Sequence, residues 1–313
     1  MNLQHLKSYE LSDYSDYWVG LHKEIVHKQE VAIIKKLLPE SSNWFADFGG
    51  GFGRLTPEYL NNGRSGLLID YAINSLEQAC ERYPVVGLAA DVSNLPLKDN
   101  SINGAIAVRL IQNSGVPEIV VREIYRTLCP GATVVLSYFN RRSLLRLLRL
   151  GPKCFKRVHV FEHLAKWGNM YGSHPIWFND MAKKVGFKIG IQTGSGFTYQ
   201  LTNQSKFLEK MVEKSNIFYK STEFMGRWID RVLGSLRLSL WQFVELKKDG
   251  EIPSQNLQKT DLLSILQCPQ CKHPDLKEKS PSLLQCPSCK TEYPKKGNVI
   301  NFRLEDTTNK RCY

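Results

Sequence analysis

No uninterrupted apolar run in the 313-residue chain approaches the roughly 18–20 residues needed to cross a bilayer, so no helical membrane span is expected. The opening stretch, MNLQHLKSYELSDYSDYW, lacks the basic start and apolar core of a secretory signal. A soluble cytoplasmic protein is the expectation. Internal repeats and low-complexity tracts are absent as well. Acidic residues are in deficit: 30 Asp and Glu face 42 Lys and Arg, a net charge of +12. Such a balance favours an anionic partner, whether nucleic acid, phosphorylated metabolite or anionic membrane surface. An ordinary basic surface accounts for the same charge, and both readings stand. Hydrophobic residues make up 42%, ample for a core, and the length suits one large domain or two unequal ones. Of the 8 cysteines, Cys80, Cys129, Cys154 and Cys312 are scattered, while Cys268, Cys271, Cys286 and Cys289 form two pairs. Without an export signal, paired cysteines argue for a metal rather than disulfides.

The early chain has helical spacing. KEIVHKQEVAIIKKLLP places Ile25, Val31, Ile34, Leu37 and Leu38 along one stripe, and Pro39 stops it. From Trp44 the period changes. WFADF, GLLID, VVGLAAD, GAIAVRL and TVVLSYF alternate with the helical stretches LTPEYL, SLEQACERY and PEIVVREIYRTL. Short apolar runs separated by helices predict βαβ units around a parallel sheet buried on both faces. GFKIGIQTG and LWQFVEL are candidates to complete that sheet.

The stretch WFADFGGGFGRL concentrates glycine at positions 49, 50, 51 and 53, directly after a strand and before a helix. Glycine is needed where a backbone turns sharply or lies against a ligand. A phosphate-binding P-loop would need Lys after the glycines, and none follows. A GxGxxG dinucleotide fingerprint counted from Gly49 meets Arg54 at its third glycine, and also fails. Asp-x-Gly-x-Gly-x-Gly does fit, as Asp47, Gly49, Gly51 and Gly53. Two further acids follow at predicted strand ends, Asp70 in GLLIDY and Asp91 in GLAADVSNLPL. Asp70 is placed to accept from vicinal ribose hydroxyls. Asp91 is placed to accept from an adenine amino group, beside the backbone N–H of Val92. Each acid alone also suits a helix cap or turn.

This pattern resembles the first motifs of class I S-adenosylmethionine-dependent methyltransferases with a type 11-like core. The likeness continues over about 100 residues through DVSNLPLKDNSINGAIAVRLIQN and EIYRTLCPGATVVLSY, with Pro130 and Gly131 as the turn before the fifth strand. The resemblance implies an α/β fold: a doubly wound, mostly parallel, seven-stranded Rossmann-like sheet. It also implies S-adenosyl-L-methionine as cofactor, held by Asp47, Gly49, Gly50, Gly51, Gly53, Asp70, Tyr71, Asp91, Val92 and Arg109. YSDYWVGLHKE, GGGFGRL and the cysteine pairs together resemble a microbial group that joins such a core to a zinc ribbon.

The chain departs from the family in informative ways. Gln112 and Asn113 follow the fourth strand, where many small-molecule methyltransferases of this kind carry histidine. No Asn-Pro-Pro-Tyr sequence is present, which argues against methylation of exocyclic base amines. No Pro-Cys follows the fourth strand, which argues against covalent attack on a pyrimidine, and Cys129 is expected to pack.

Methyl transfer needs alignment above all. Where the acceptor carries a proton, a base adds roughly 10²–10⁴-fold. Candidates near the expected cleft are Tyr14, Tyr17, His22, Arg109, Asn113, Tyr138 and Asn140, with His159, His163 and His174 in an insertion. Tyr17 and Trp18 suit either a lid over the cofactor or a staple for the first helix.

CPQC and CPSC, with 14 residues between them, can close a tetrahedral Zn²⁺ site of Cys268, Cys271, Cys286 and Cys289 with no open position, a structural metal. Their flanks, LLSILQCPQC and TEYPKKGNVINF, resemble the small zinc-ribbon activator subunit of translation-related methyltransferases. The expected organisation is a methyltransferase domain over 1–246, a linker over 247–260 and a zinc-ribbon module over 261–313. Within the first, 1–40 forms a helical lid and about 141–235 a basic, helical insertion. From Arg141 to Arg157 seven basic residues (141, 142, 146, 149, 153, 156 and 157) interleave with leucines. They read as a solvated acceptor-side lid, an RNA phosphate contact, or a short contact with an anionic membrane. The acceptor is expected to be a small or lipid-like molecule ahead of RNA or a translation protein. A non-catalytic scaffold that binds nucleic acid or a partner through its basic face is the alternative.

Overall fold

The structure is a computed structural model and describes residues 18, 20–38, 43–60, 64–148, 164–167, 170–204, 210, 214–251 and 260–304. Helix α1 (Leu21–Leu37) leads into β1 (Trp44–Phe48), the short α2 (Thr56–Tyr59), β2 (Ser65–Asp70), α3 (Ile73–Arg82) and β3 (Val85–Ala89). β4 (Ile102–Ala107), α4 (Ile111–Ser114), α5 (Pro117–Thr127) and β5 (Leu128–Phe139) follow. Then come α6 (Leu144–Leu147), the hairpin β6 (Leu164–Trp167) and β7 (Met170–Ser173), α7 (Pro175–Val185) and β8 (Phe187–Ser195). Helices α8 (Phe197–Gln204) and α9 (Asn216–Ser235) precede β9 (Trp241–Lys248). The cysteine module holds α10 (Leu262–Ile265), β10 (Lys277–Ser280), β11 (Leu283–Gln285), β12 (Glu292–Lys296) and β13 (Val299–Asn301).

The central sheet runs β3-β2-β1-β4-β5-β9-β8, seven strands with β9 antiparallel between β5 and β8. Both GFKIGIQTG and LWQFVEL join it, as β8 and β9. The stretch 141–235 therefore contributes a core strand as well as helices. Apolar side chains cover both faces. Val26 and Ile34 of α1, Tyr59 of α2 and Leu76 of α3 pack with Phe45, Leu68 and Phe243. Val120 and Ile124 of α5 and Phe178 of α7 pack with Phe48, Leu136 and Val244 on the other side. The helices begin and end where local chemistry directs: Pro117 opens α5 at a position where its missing N–H costs nothing, and Gly186 closes α7 at φ 118°.

One feature differs from the sequence expectation and a second goes beyond it. Pro130 and Gly131 do not turn the chain before the fifth strand; they lie inside β5, where the register against β4 shifts between Ile102 and Gly104. A bulge accommodates a proline and a left-handed glycine without ending the strand. Secondly, the cysteine module, which sequence places after a linker and packed on the core, also extends the sheet itself. β13 pairs in parallel with β3, and the sheet continues through β12, β11 and β10 to eleven strands. The expected linker is seen only to residue 251 and from residue 260, and its centre lies outside the described residues.

Candidate functional site

β1 is flanked by β2 on one side and β4 on the other. Chain order reverses there, and the carboxyl ends of the strands open a crevice at that point. A cleft enclosing about 1020 Å³ of space, part of it open to solvent, occupies this position. Its floor is the glycine loop. The Gly49 N–H donates to Ile69 O at 2.7 Å, tying the loop to β2. A Cβ at Gly50 would stand 3.0 Å from Asp47 Cγ and 3.1 Å from Leu68 Cγ. Gly51 has φ +52° and donates its N–H to Asp70 Oδ2 at 3.0 Å. A side chain there would be strained and would project beside the Asp70 carboxylate.

The sequence-derived cofactor residues converge. Asp47, Gly49, Gly50, Gly51, Asp70, Tyr71, Asp91, Val92 and Arg109 all line the cleft. Gly53 does not; its bare Cα faces Thr56 and Ala79, so its part is the turn into α2. Asp47 is buried at the end of β1, and burial pushes its carboxyl up to about 7 against the pull of the Arg54 charge. The Asp70 carboxyl is also raised by its surroundings, offset by N–H donors from Ala72 and Gly51. Asp91 makes the turn that an isolated acid there would suit, accepting from Ser93 N–H at 2.8 Å and Ser93 Oγ at 2.6 Å, yet it faces the cleft.

A network that no sequence motif announces closes one end. Glu30 of α1 is fully buried. Its Oε1 accepts from Arg109 Nε at 2.8 Å and its Oε2 from Arg54 Nη2 at 2.6 Å. Burial alone would raise the Glu30 carboxyl, but the two guanidiniums outweigh it and hold the group below the usual carboxylate range. Arg54 Nη1 also meets His27 Nδ1 at 2.8 Å, and burial followed by the Arg54 charge lowers the His27 pKa. Trp18 lies over both guanidiniums, at 3.8 Å from Arg54 and 4.8 Å from Arg109, and Trp241 covers Arg109 at 3.8 Å. One carboxylate against two guanidiniums leaves this end of the cleft with net positive charge.

The proposed catalytic candidates separate. Arg109 and Asn113 reach the cleft, with Asn113 Nδ2 donating to Arg109 O at 3.0 Å. Tyr138 is a correction: it is fully buried on the opposite face, its ring stacked on Phe178 at 4.2 Å. Strand alternation decides this, since Ser137 faces the cleft side and accepts from the Arg109 N–H at 2.8 Å. Asn140 is committed to Arg237 O and Ser239 O, and His174 caps α7. Tyr14, Tyr17, His159 and His163 lie outside the described residues, as does the side chain of His22. The basic segment is partly corrected: Arg141 and Arg146 are buried, not solvated, with Arg146 over the Phe139 ring at 4.4 Å. Residues 149, 153, 156 and 157 are not described.

The four module cysteines also come together, all sulfurs within 4.8 Å of one another. Cys268 Sγ lies 3.6 Å from Cys289 Sγ, and Cys271 Sγ 3.5 Å from Cys286 Sγ. A tetrahedron with metal–sulfur bonds of about 2.3 Å has edges of ~3.8 Å, so the donor set fits a zinc ribbon. Each CxxC is followed by a left-handed residue, Lys272 at φ 62° and Lys290 at φ 63°, whose N–H returns to the carbonyl of Cys268 or Cys286. His273 is turned to Asp275 and takes no part.

Residues 46–136 match the methyltransferase-domain family. The chain is 33% identical over 169 residues to demethylmenaquinone methyltransferase of Chlamydia trachomatis, an alignment covering 52% of this chain and 63% of that protein. It is 27% identical over 165 residues to the 2-phytyl-1,4-naphtoquinone methyltransferase of Nostoc punctiforme, covering 50% and 69% respectively. The chain thus spans less than two thirds of the Chlamydia relative. Among solved structures, a possible histamine N-methyltransferase of Thermotoga maritima superposes with a TM-score of 0.52 at 20% identity, covering 78% of this chain and 99% of that one. A Haemonchus contortus phosphoethanolamine N-methyltransferase gives 0.52 at 18% identity, covering 79% and 60%. The loop, the strand order and the matched segment agree: residues 46–136 form a methyltransferase domain, the chain has the class I S-adenosylmethionine-dependent methyltransferase fold, and the four-cysteine module joined to its sheet is compatible with a zinc ribbon.

Proposed function

We propose that the protein binds S-adenosylmethionine in the cleft beyond β1 and methylates a small apolar acceptor of the quinone class, and that its cysteine module holds a structural Zn²⁺. The observation that carries this reading is the bare Gly51 backbone set against the Asp70 carboxylate at the mouth of the cleft. Asp70 would take the ribose hydroxyls and Asp91 with Val92 the adenine. The positive end built by Arg54 and Arg109 would take a carboxylate. S-adenosylmethionine, when bound, supplies a methyl group already activated by a sulfonium. The chain's own task is then to align the acceptor and keep water out, which Trp18, Leu110 and Val108 on the cleft wall are suited to do. The apolar wall and the naphthoquinone and menaquinone relatives support the acceptor class. Thiolate ligation at all four corners leaves no open coordination position, so the metal's part would be to fold the module.

Asp70→Asn keeps the turn but weakens hydrogen bonding to the ribose. Calorimetry is expected to show S-adenosylmethionine affinity falling by about 1.5–3 kcal/mol. Radiolabelled S-adenosylmethionine incubated with the protein and separate lipid, RNA and protein fractions is expected to label the lipid fraction. Label in RNA or protein instead would overturn the acceptor class, and unchanged affinity in Asp70→Asn would overturn the cofactor site.

A further inference from the structure

Helix α9 has two working faces. Its inner face is clamped onto the protein: Asp230 Oδ1 accepts from Phe197 N–H at 2.9 Å, and Tyr219 and Leu233 are buried. Gly226 and Gly234 allow very close approach, for a Cβ at Gly226 would collide with Thr198 and one at Gly234 with the backbone of Thr193 and Gly194. The outer face of so firmly seated a helix would ordinarily be polar. Here it is not. Ile217, Phe224, Met225, Trp228, Val232 and the following Leu236 are each more than half exposed. They account for six of the eleven exposed large hydrophobic residues among those described.

Helical geometry aligns these residues. At 100° per residue, Ile217, Phe224, Trp228 and Val232 fall within about 80° of one another, with Met225 beside them. Lys220, Arg227 and Arg231 form a rail along one edge of the stripe, and Arg231 lies 5.3 Å from the Trp228 ring. Among the described residues of the helix, no exposed one is acidic. Glu223, at the margin, is already 3.8 Å from Arg227. A helix with an aromatic, aliphatic face, a cationic edge and no acid on that face matches the chemistry of the boundary between lipid headgroups and acyl chains. No helix among the described residues is long and apolar enough to cross a membrane, so any contact is peripheral.

We propose that the outer face of α9 is a docking surface for an anionic lipid bilayer, with Phe224, Trp228 and Val232 entering the interface and Lys220, Arg227 and Arg231 meeting lipid phosphates. A second copy of the chain fits less well, because the face offers no acid to answer the rail. The surface is also mechanically close to the cleft. On α1, Lys28 Nζ donates to Tyr219 OH at 3.0 Å, Gln29 lies against Gly226, and Glu30 holds Arg54 and Arg109. Three consecutive residues thus span from the docking helix to the cofactor cleft.

The test uses the full chain and does not depend on catalysis. Flotation is run with vesicles of phosphatidylcholine alone and of phosphatidylcholine mixed equally with phosphatidylglycerol. The protein is expected to float with the anionic vesicles, to release as salt rises, and to bind the neutral vesicles weakly. Phe224→Ser with Trp228→Ser, and separately Lys220→Gln with Arg231→Gln, are each expected to reduce binding about tenfold or more. Both variants are expected to retain the wild-type melting transition and S-adenosylmethionine affinity, since these residues are exposed and none of them lines the cleft. Absence of binding to anionic vesicles, or binding unchanged in both variants, overturns the proposal. So does a concentration-dependent dimer in sedimentation that Phe224→Ser with Trp228→Ser abolishes, for then the face belongs to a second copy.

Discussion

Glu30 shows how one side chain can organise a cleft without resembling a site residue. In the sequence it sits in HKQEV and is not one of the apolar residues that mark the helical stripe, Ile25, Val31, Ile34, Leu37 and Leu38. In the structure α1 packs on one face of the sheet, and tertiary approach buries the carboxylate between Arg54 and Arg109. No local pattern announces such a partner, because the two arginines lie 24 and 79 residues away. Asp70 and Asp91 were legible for the opposite reason: strand period and a glycine loop fix where strand ends fall, and a carboxylate there has few uses. Glu30→Gln removes the charge but little volume, and takes from two largely buried guanidiniums the carboxylate that bridges them. Chemical denaturation at neutral pH is expected to show a loss of about 3–5 kcal/mol. The wild-type advantage comes from a carboxylate held below its ordinary value, so it is present above pH 4.5 and fades as pH falls through the lowered pKa. A variant as stable as wild type at pH 7 would remove Glu30 from the architecture.

At the scale of elements, the strands of the core were largely legible and the long connection between β5 and β8 was not. Apolar runs bounded by glycine or acid predict buried parallel strands whatever packs on them. Between residues 141 and 235, by contrast, helix, hairpin and strand follow one another, and basic residues spaced like a solvated surface turn inward at Arg141 and Arg146. The outcome depends on partners such as the Phe139 ring, which local periodicity does not specify. The seat of α9 carries its own pH signature. Asp230 is buried beneath the helix, and burial pushes its carboxyl up to about 7 from 3.8. The folded chain therefore holds this proton where the unfolded chain releases it. Stability falls as pH rises from about 4 to about 7, and stays lower above that. Asp230→Asn retains an acceptor for the Phe197 N–H and removes the ionisation. Its melting temperature relative to wild type is expected to climb between pH 5 and pH 8. A difference that stays flat, or runs the other way, would show that Asp230 ionises freely where it stands.

For the whole molecule, the decisive feature is that the cysteine module is not a separate bead. Two CxxC pairs predicted a metal-stapled unit, but nothing in their spacing says that β13 lies along β3. The join is extensive. Gly87 N–H donates to Asn298 O at 2.9 Å and Phe302 N–H to Ala89 O at 2.8 Å, while Leu97 bridges Leu266. Ile265, Leu266, Tyr293 and Phe302 belong to the same apolar cluster as Phe48, Leu136 and Phe178. Arg303 then reaches the cleft wall, its guanidinium 5.2 Å from the Tyr71 ring. A small unit whose four cysteines can hold a metal thereby covers the edge of β3, and an uncovered strand edge invites association. If metal and core are coupled in this way, they should unfold together. Calorimetry of the full chain is expected to show one transition, lowered by roughly 5–10 °C when a chelator strips the cysteines. Cys271→Ser should reproduce the shift without chelator. A chain ending at Lys248 should bind a hydrophobic dye and associate, because the β3 edge and the apolar surface beneath α10 are then open. Two well-separated transitions, with the upper one indifferent to chelator, would mean that the sheet continues through the junction in geometry but not in free energy.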